Sequence, residues 1–450
     1  MFPRSSEAPR DQRERPAAPA RCPVLALVLL VLAGALASCG TEPRRLVYWA
    51  SNQGASTAQD REVLRAQLAR FTRDTGVPVE VDVIPWNDLL NRILGAATSG
   101  TGPDVVDLGN TWSASLQATG AFVEFDERLL DRLGGRDRFL ASSMSSAGMP
   151  GRPPASVPLY GLSYAVFYDK QRFREAGITR IPESWAEFLD VAERLTDGDR
   201  AGLTVPGASY TQNAHFAFLF GMQQGARFID EDGAATFTTP RAVESVLRYV
   251  ELMSSRRVVR ADDAEVGSAP ESVAEFTAGR AAMLIAQNSA LPAIVDSRMP
   301  GEDVGVFPLP LPDPLPPGGS PVRSHVGGSN VAVLRDSPRR EESLRLVEFL
   351  TSRRTQVELN RSYGSLPVVE DAYAEPEFST GHAAVFGRLL AHESVPVPMI
   401  PDESRFETTV GAAVRDLFAR AATDRPVGRE QVRAELAQAQ QQMRAAGGSG

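Results

Sequence analysis

The 450-residue chain has two cysteines, four histidines and one lysine, Lys170. Each scarcity removes a class of chemistry. Cys22 and Cys39 both lie near the N-terminus, so neither a disulfide framework nor a thiolate metal site is expected in the body of the chain. The histidines, His215, His325, His382 and His392, show no HExxH or i,i+4 spacing, which argues against a catalytic zinc. No GxxxxGK[ST] loop is present, and Gly207-Ala-Ser-Tyr-Thr211 lacks the final glycine of a GxSxG elbow. Repeats and long apolar segments that would suit an adhesion or scaffold protein are missing as well. A net charge of −9 disfavours nucleic acid as a partner. What remains is an ordinary balance, 43% hydrophobic and 23% charged, in a chain long enough for two domains and a large core.

The N-terminus carries Arg-rich polar sequence to Arg21 and then an apolar run, Val24–Ala37. The run falls short of the roughly 20 residues needed to span a bilayer and reads as a signal-peptide core; an ordinary transmembrane anchor is the alternative. Leu36-Ala37-Ser38-Cys39 resembles the lipobox of bacterial lipoproteins. That resemblance implies a signal peptide over 1–38, acylation of Cys39, a tether over 39–45 and attachment to a membrane. Loss of 1–38, with five Arg and three acids, leaves −11.

Beyond the tether, strands over 45–50, 77–84 and 103–108 alternate with helices over 60–74 and 87–97, which predicts a parallel α/β sheet with ligands at the strands' carboxyl ends. Those ends hold Ser51, Asn52 and Gln53, then Gly109, Asn110, Thr111 and Trp112. From Pro158 to Gly177, Tyr160, Leu162, Tyr164, Val166 and Tyr168 alternate at strand period, with small Gly161, Ser163 and Ala165 between them. Asp169 then caps a helix that stops at Gly177. The chain is expected to cross here between two lobes, beside a cleft for a small solute. Further helices are expected over 183–195, 211–225, 240–254, 272–278 and 431–446, and a buried strand over 282–286. The Pro/Gly-rich stretch 303–323 reads as a surface loop.

RLVYWASNQG, TGPDVVDLGNTW and LYGLSYAVFYDKQRFREAGITRIPESWAEF are followed in order by EFTAGRAAMLIAQNSAL (275–291), HVGGSNVAVL (325–334) and RLVEFLTSRRTQVELNRSYGSLPV (345–368). The ordered set, over about 45–430, resembles the extracellular solute-binding proteins of family 1, sugar-binding subunits of ABC importers and a group that includes maltose-binding protein. The resemblance implies an α/β, two-lobed clam-shell of the type II periplasmic-binding-protein fold, with three hinge crossings near Gly161–Ser163, Val326–Gly328 and Gly364–Pro367. Lobe one is then 45–160 plus 328–366, and lobe two 163–326 plus 368–445. It further implies a monomer that binds a mono- or disaccharide without cofactor or catalysis and hands it to permease subunits; glycerophosphodiesters or other polyols are alternative cargoes.

Sugar recognition needs amide and carboxylate hydrogen-bonding groups with aromatic faces against C–H surfaces. The candidates are Asn52, Gln53, Asn110, Thr111 and the stacking Trp112 on one lobe. Ser163, Tyr164, Tyr210, Asn213 and His215 serve on the other. Asn288 stands where the family often has Gly then Trp, which hints at a smaller or more polar ligand. Gly328 and Ser329 would offer backbone N–H groups; Tyr363 and Arg405 stand by the far crossing, Arg405 able to pair with vicinal hydroxyls. The runner-up reading is a secreted glycoside hydrolase using Asp104 and Asp107.

Overall fold

The computed structural model describes residues 45–447 apart from 55, 298 and 300; the signal-peptide, tether and Cys39 assignments lie outside them. In chain order the strands are β1 (Leu46–Ser51), β2 (Val79–Ile84), β3 (Val105–Gly109), β4 (Val157–Leu162), β5 (Tyr164–Asp169), β6 (Ala201–Thr204), β7 (Ala281–Gln287), β8 (Val304–Phe307), β9 (Ser324–His325), β10 (Gly327–Val333) and β11 (Ser394–Val395). One sheet runs β2-β1-β3-β10-β4, a second β6-β7-β5-β8, and β9 pairs with β11. Each of the two larger sheets centres its own lobe.

The βα alternation at the start forms as the sequence predicts. In β1, Leu46, Tyr48 and Ala50 turn inward and receive Leu64, Leu68 and Phe71 of helix α1 (Thr57–Thr75). Ser56 caps that helix by accepting from Gln59 N–H, and Gly76 closes it in the left-handed conformation. β1 is parallel to β2 and β3. The sheet is mixed, however, and not wholly parallel: β10 returns from the other lobe and runs antiparallel to both β3 and β4. In the second sheet β5 is likewise antiparallel to β7 and β8.

Two other differences matter. The alternating stretch from Tyr160 to Tyr168 is two strands in two different sheets, parted at Ser163. Within the expected loop over 303–323, Val304–Phe307 forms β8, because Val304 and Phe307 are buried against β5. Asp169 caps the following helix as expected, accepting from the N–H groups of Gln171 and Arg172.

The second lobe's core gathers helices α3 (Tyr210–Gln224), α4 (Pro240–Ser254), α6 (Glu403–Ala422) and α7 (Arg429–Gly447). Helix α5 (Gly381–His392) joins a cluster drawn from both lobes: Phe386 packs 5.4 Å from Phe167 of β5, and Leu390 shares the cluster with Leu140 and Leu366. Val368, Val369, Ala372 and Phe378 still pack in the first lobe's core, beyond the residue 366 at which the sequence reading ends that lobe.

Candidate functional site

The carboxyl ends of β1, β2 and β3 form one rim. After β1 the loop is organised by Asp60, buried in the first turn of α1. Its carboxylate accepts from Gln53 N–H at 3.1 Å, Gly54 N–H at 2.8 Å and the Asn52 side-chain amide. Burial nonetheless raises its pKa, more than these donors lower it. The Gln53 amide donates to Ser51 Oγ at 2.7 Å, so Asn52 and Gln53 both have partners inside the loop.

After β3, Asn110–Trp112 form a 3-10 turn. Asn110 and Thr111 are buried, and the Asn110 amide donates to the Val326 carbonyl at 2.7 Å. Trp112 is half-buried and meets Trp86 edge-to-face, centroids 5.6 Å apart at 69°. Its ring lies over Gly109, where a Cβ would come within 3.0 Å of it. Trp86, which opens helix α2 (Trp86–Ser99) directly after β2, is absent from the sequence candidates. Its position in Ile84-Pro-Trp86 carried the same strand-end signal that singled out Trp112. Arg92 covers the Trp49 ring at 4.6 Å.

The two passages between sheets are bolted together. Ser163 N–H donates to Asn288 Oδ1 at 3.0 Å, and Asn288 Nδ2 donates onward to the Gly364 carbonyl at 2.9 Å. Ser163 Oγ donates to the Phe386 carbonyl at 2.9 Å, and Tyr164 N–H to Ser324 Oγ at 2.8 Å. Gly328 has φ 130°, and a Cβ there would overlap the Tyr160 carbonyl, so only glycine lets β10 lie this close to β4. Ser329 is buried with its hydroxyl unpartnered. Tyr363 is buried edge-to-face with Tyr160 at 5.6 Å. Asn213 donates to the Gly207 carbonyl and accepts from Tyr249 OH. Tyr210 alone among the second-lobe candidates is exposed, at 44%. Arg405 pairs with Asp402 at 3.2 Å.

A polar cluster stands where α6 meets the first lobe. Helix α6 packs against the Asn110–Trp112 turn and the helix Ser113–Ala118 after it; Ser404 donates to Ser115 Oγ at 3.1 Å. Glu403 and Glu407, one turn apart on α6, are both buried. His215 Nε2 lies 2.9 Å from Glu407 Oε1, and its Nδ1 lies 3.5 Å from the Tyr164 hydroxyl. The His215 ring meets that of His325 at 4.0 Å. Apart from Glu407 beside Glu403 and the Val326 backbone beside His325, the Glu403 oxygens and the His325 nitrogens have no hydrogen-bond partner. Burial, then the neighbouring Glu407, pushes the Glu403 carboxyl well above its ordinary range. Burial, then His215, drives the His325 imidazole well below its own, so it is neutral. His215 and Tyr164 are the members of this cluster among the sequence candidates; Glu403 and Glu407, on a helix absent from the sequence expectations, are not.

Asp104 and Asp107 are both engaged within the first lobe. Asp107 accepts from Tyr48 OH at 2.6 Å, Ser51 N–H at 3.1 Å and Ser51 Oγ–H at 3.2 Å, and burial pushes it up to about 7. Asp104 accepts from Val47 N–H at 2.8 Å and Ser337 Oγ–H at 2.6 Å.

Two mixed sheets, joined by bolted passages and with aromatic and polar groups where they meet, invite comparison with known proteins. The sequence profile of the bacterial extracellular solute-binding proteins matches residues 54–357. The chain belongs to that family. It is therefore a binding protein and not an enzyme, and its place is outside the cytoplasm. The diacetylchitobiose-binding protein DasA of Streptomyces coelicolor is 22% identical over 76% of this chain and 78% of its own. Among solved structures, the sugar-binding protein MalE of Xanthomonas citri superposes with a TM-score of 0.75 at 21% identity, covering 90% of this chain and 98% of that one. A solute-binding protein of Agrobacterium radiobacter in complex with ribitol gives 0.73 at 22% identity, with 89% and 98% covered. These likenesses extend to the two-lobed fold of the binding protein.

Proposed function

We propose that the chain is the substrate-binding subunit of an ABC importer, held to the membrane through acylated Cys39, and that it delivers a carbohydrate or related polyol to a permease as a monomer. The observation that carries this reading is the juxtaposition at the lobe boundary. Trp112 and Trp86 stand at strand ends of the first lobe, and the buried acids and imidazoles of the second face the same boundary across Ser404 and Ser115. Aromatic faces suit sugar C–H surfaces, and carboxylates suit hydroxyls. The diacetylchitobiose and ribitol bound by the proteins compared above belong to this chemical class. Ser163 and Val326 mark two of the crossings, and we place the third between Phe378 and helix α5.

Binding here works by stabilising the closed arrangement of the lobes through contacts available only when both meet the ligand. Full closure calls for about 5.5 kcal/mol of preference, within reach of a micromolar ligand at about −8 kcal/mol.

A thermal-shift screen of the chain from residue 41 against sugars, polyols, amino acids and glycerophosphodiesters tests the proposal. A micromolar ligand at millimolar concentration adds about 4 kcal/mol of stability. A shift with a sugar or polyol, without product formation, supports the reading. A shift with a glycerophosphodiester alone would change the cargo, and silence across the panel would sink the importer reading. Trp112→Ala should weaken ligand binding by about tenfold or more. Its packing on Trp86 adds a modest drop in the melting temperature of the free protein.

A further inference from the structure

We infer that the first turn of α6 recognises a hydroxylated ligand carrying a basic nitrogen, an amino sugar or aminocyclitol, with Glu403 holding the ammonium and His325 a neighbouring hydroxyl. The inference rests on the importer reading above and names the cargo class of that site.

Glu403 is fully buried, and its oxygens receive no donor beyond the proton it shares with Glu407. Its neighbour Glu407 gives one oxygen to His215. Among the described residues, no arginine or lysine is ion-paired to either acid, and the basic side chain that touches them is His215, 2.9 Å from Glu407. Two adjacent buried carboxyls cannot both stay ionised without a proton between them or a cation beside them. Arg405 on the same turn lies 3.2 Å from Asp402, with its buried Nη1 making no hydrogen bond. Asp263, on the 3-10 turn packed against α6, adds only another acid and accepts from Val205 N–H.

The second observation is independent of the acids. His325 is 1% exposed, and beyond the Val326 backbone its ring nitrogens have no partner. A neutral imidazole offers one donor and one acceptor, the complement of an alcohol O–H. The group also lies where both lobes can reach it: Ser404, next to Glu403, bonds Ser115 of the first lobe. Separation of the lobes would uncover this turn, and reclosure would bury whatever it holds. An ammonium seated on Glu403 supplies the missing donors and charge together. It displaces the proton shared by Glu403 and Glu407, which leaves to solvent.

Calorimetry on the purified protein tests this with matched probes: glucosamine against glucose, and 1-deoxynojirimycin against 1,5-anhydroglucitol. The amine of at least one pair should bind about tenfold or more tightly than its neutral twin. At a pH well below the amine's own pKa, where the free ligand is already an ammonium, it should release about one proton per ligand, read from the binding enthalpy in buffers of different ionisation heat. Glu403→Gln should abolish the preference; should that variant not fold, the proton count on the wild-type protein decides. Equal affinity for both members of each pair, or binding of an amine without proton release, overturns the inference and leaves the importer reading standing. Failure of every compound in the wider screen overturns the importer reading and this inference with it.

Discussion

Asp107 and Glu403 are both carboxyls without solvent exposure, and their surroundings are opposite. Asp107, in β3, collects three donors from β1: the Tyr48 hydroxyl and both the N–H and hydroxyl of Ser51. Glu403, in the first turn of α6, collects none beyond the proton it shares with Glu407. The first arrangement is architecture, since a buried acceptor surrounded by donors locks two strands in register. The second leaves hydrogen-bonding capacity unspent at the boundary between lobes, a cost that a structural role does not repay. Burial depth alone would have ranked the two residues alike; only the inventory of donors separates a rivet from a site.

Breaking the rivet should have the largest effect. Asp107→Ala strands the Tyr48 hydroxyl and two groups of Ser51, and should lower stability by about 3 kcal/mol, seen as a lower urea midpoint at unchanged slope. Next comes the pH dependence. Asp107 is pushed up to about 7 in the folded protein from an ordinary 3.8, and Asp263 is raised likewise to about 7. Between these values the folded state binds more protons than the unfolded, so stability should fall as pH rises from about 4 to 7 and level off above. Each group contributes at most about 1.4 kcal/mol per pH unit. Asp107→Asn should flatten its share; an unchanged slope would mean that the three donors keep the folded carboxylate ionised.

Glu403→Gln sharpens the contrast, because it removes a desolvated acid and offers Glu407 a donor. The free protein should gain about 1 kcal/mol, with a raised melting temperature. A loss instead would show that Glu403 already has a structural partner. Arg405→Ala should change stability least, by less than about 0.5 kcal/mol, since its pair with Asp402 is partly solvated, with side chains 36% and 45% exposed.

The local elements were legible because their causes are local. Asp169 and Gly76 announce helix ends, and the alternation in Leu46-Val-Tyr48-Trp-Ala50 announces a strand, whereas the cap at Ser56 starts α1 three residues ahead of the expected 60. The alternation from Tyr160 to Tyr168 reports one strand and hides the break at Ser163, while the expected crossing near Gly161–Ser163 falls where the two sheets part. The antiparallel β10 depends on a partner far upstream, which no local period reports. At the site, Trp112 could be placed at a strand end from sequence. The roles of Asn110, Asn288 and Ser163 in joining the passages depend on partners more than 100 residues away. Glu407 finds His215 across 192 residues, so an acid that looks solvated in sequence lies buried in the fold.

The placement of β10 between β3 and β4 has a consequence for the birth of the molecule. The first lobe begins at the start of the chain, yet β4 joins the body of its sheet only when Gly327–Val333 arrives. All of residues 163–326 must be synthesised in between, roughly ten to thirty seconds of elongation. The second lobe waits longer still, for α6 and α7 at the end of the chain. Neither lobe can complete its core early, and contacts so distant in sequence make for slow folding. A nascent chain of this topology stays unfinished until nearly all of it has been made.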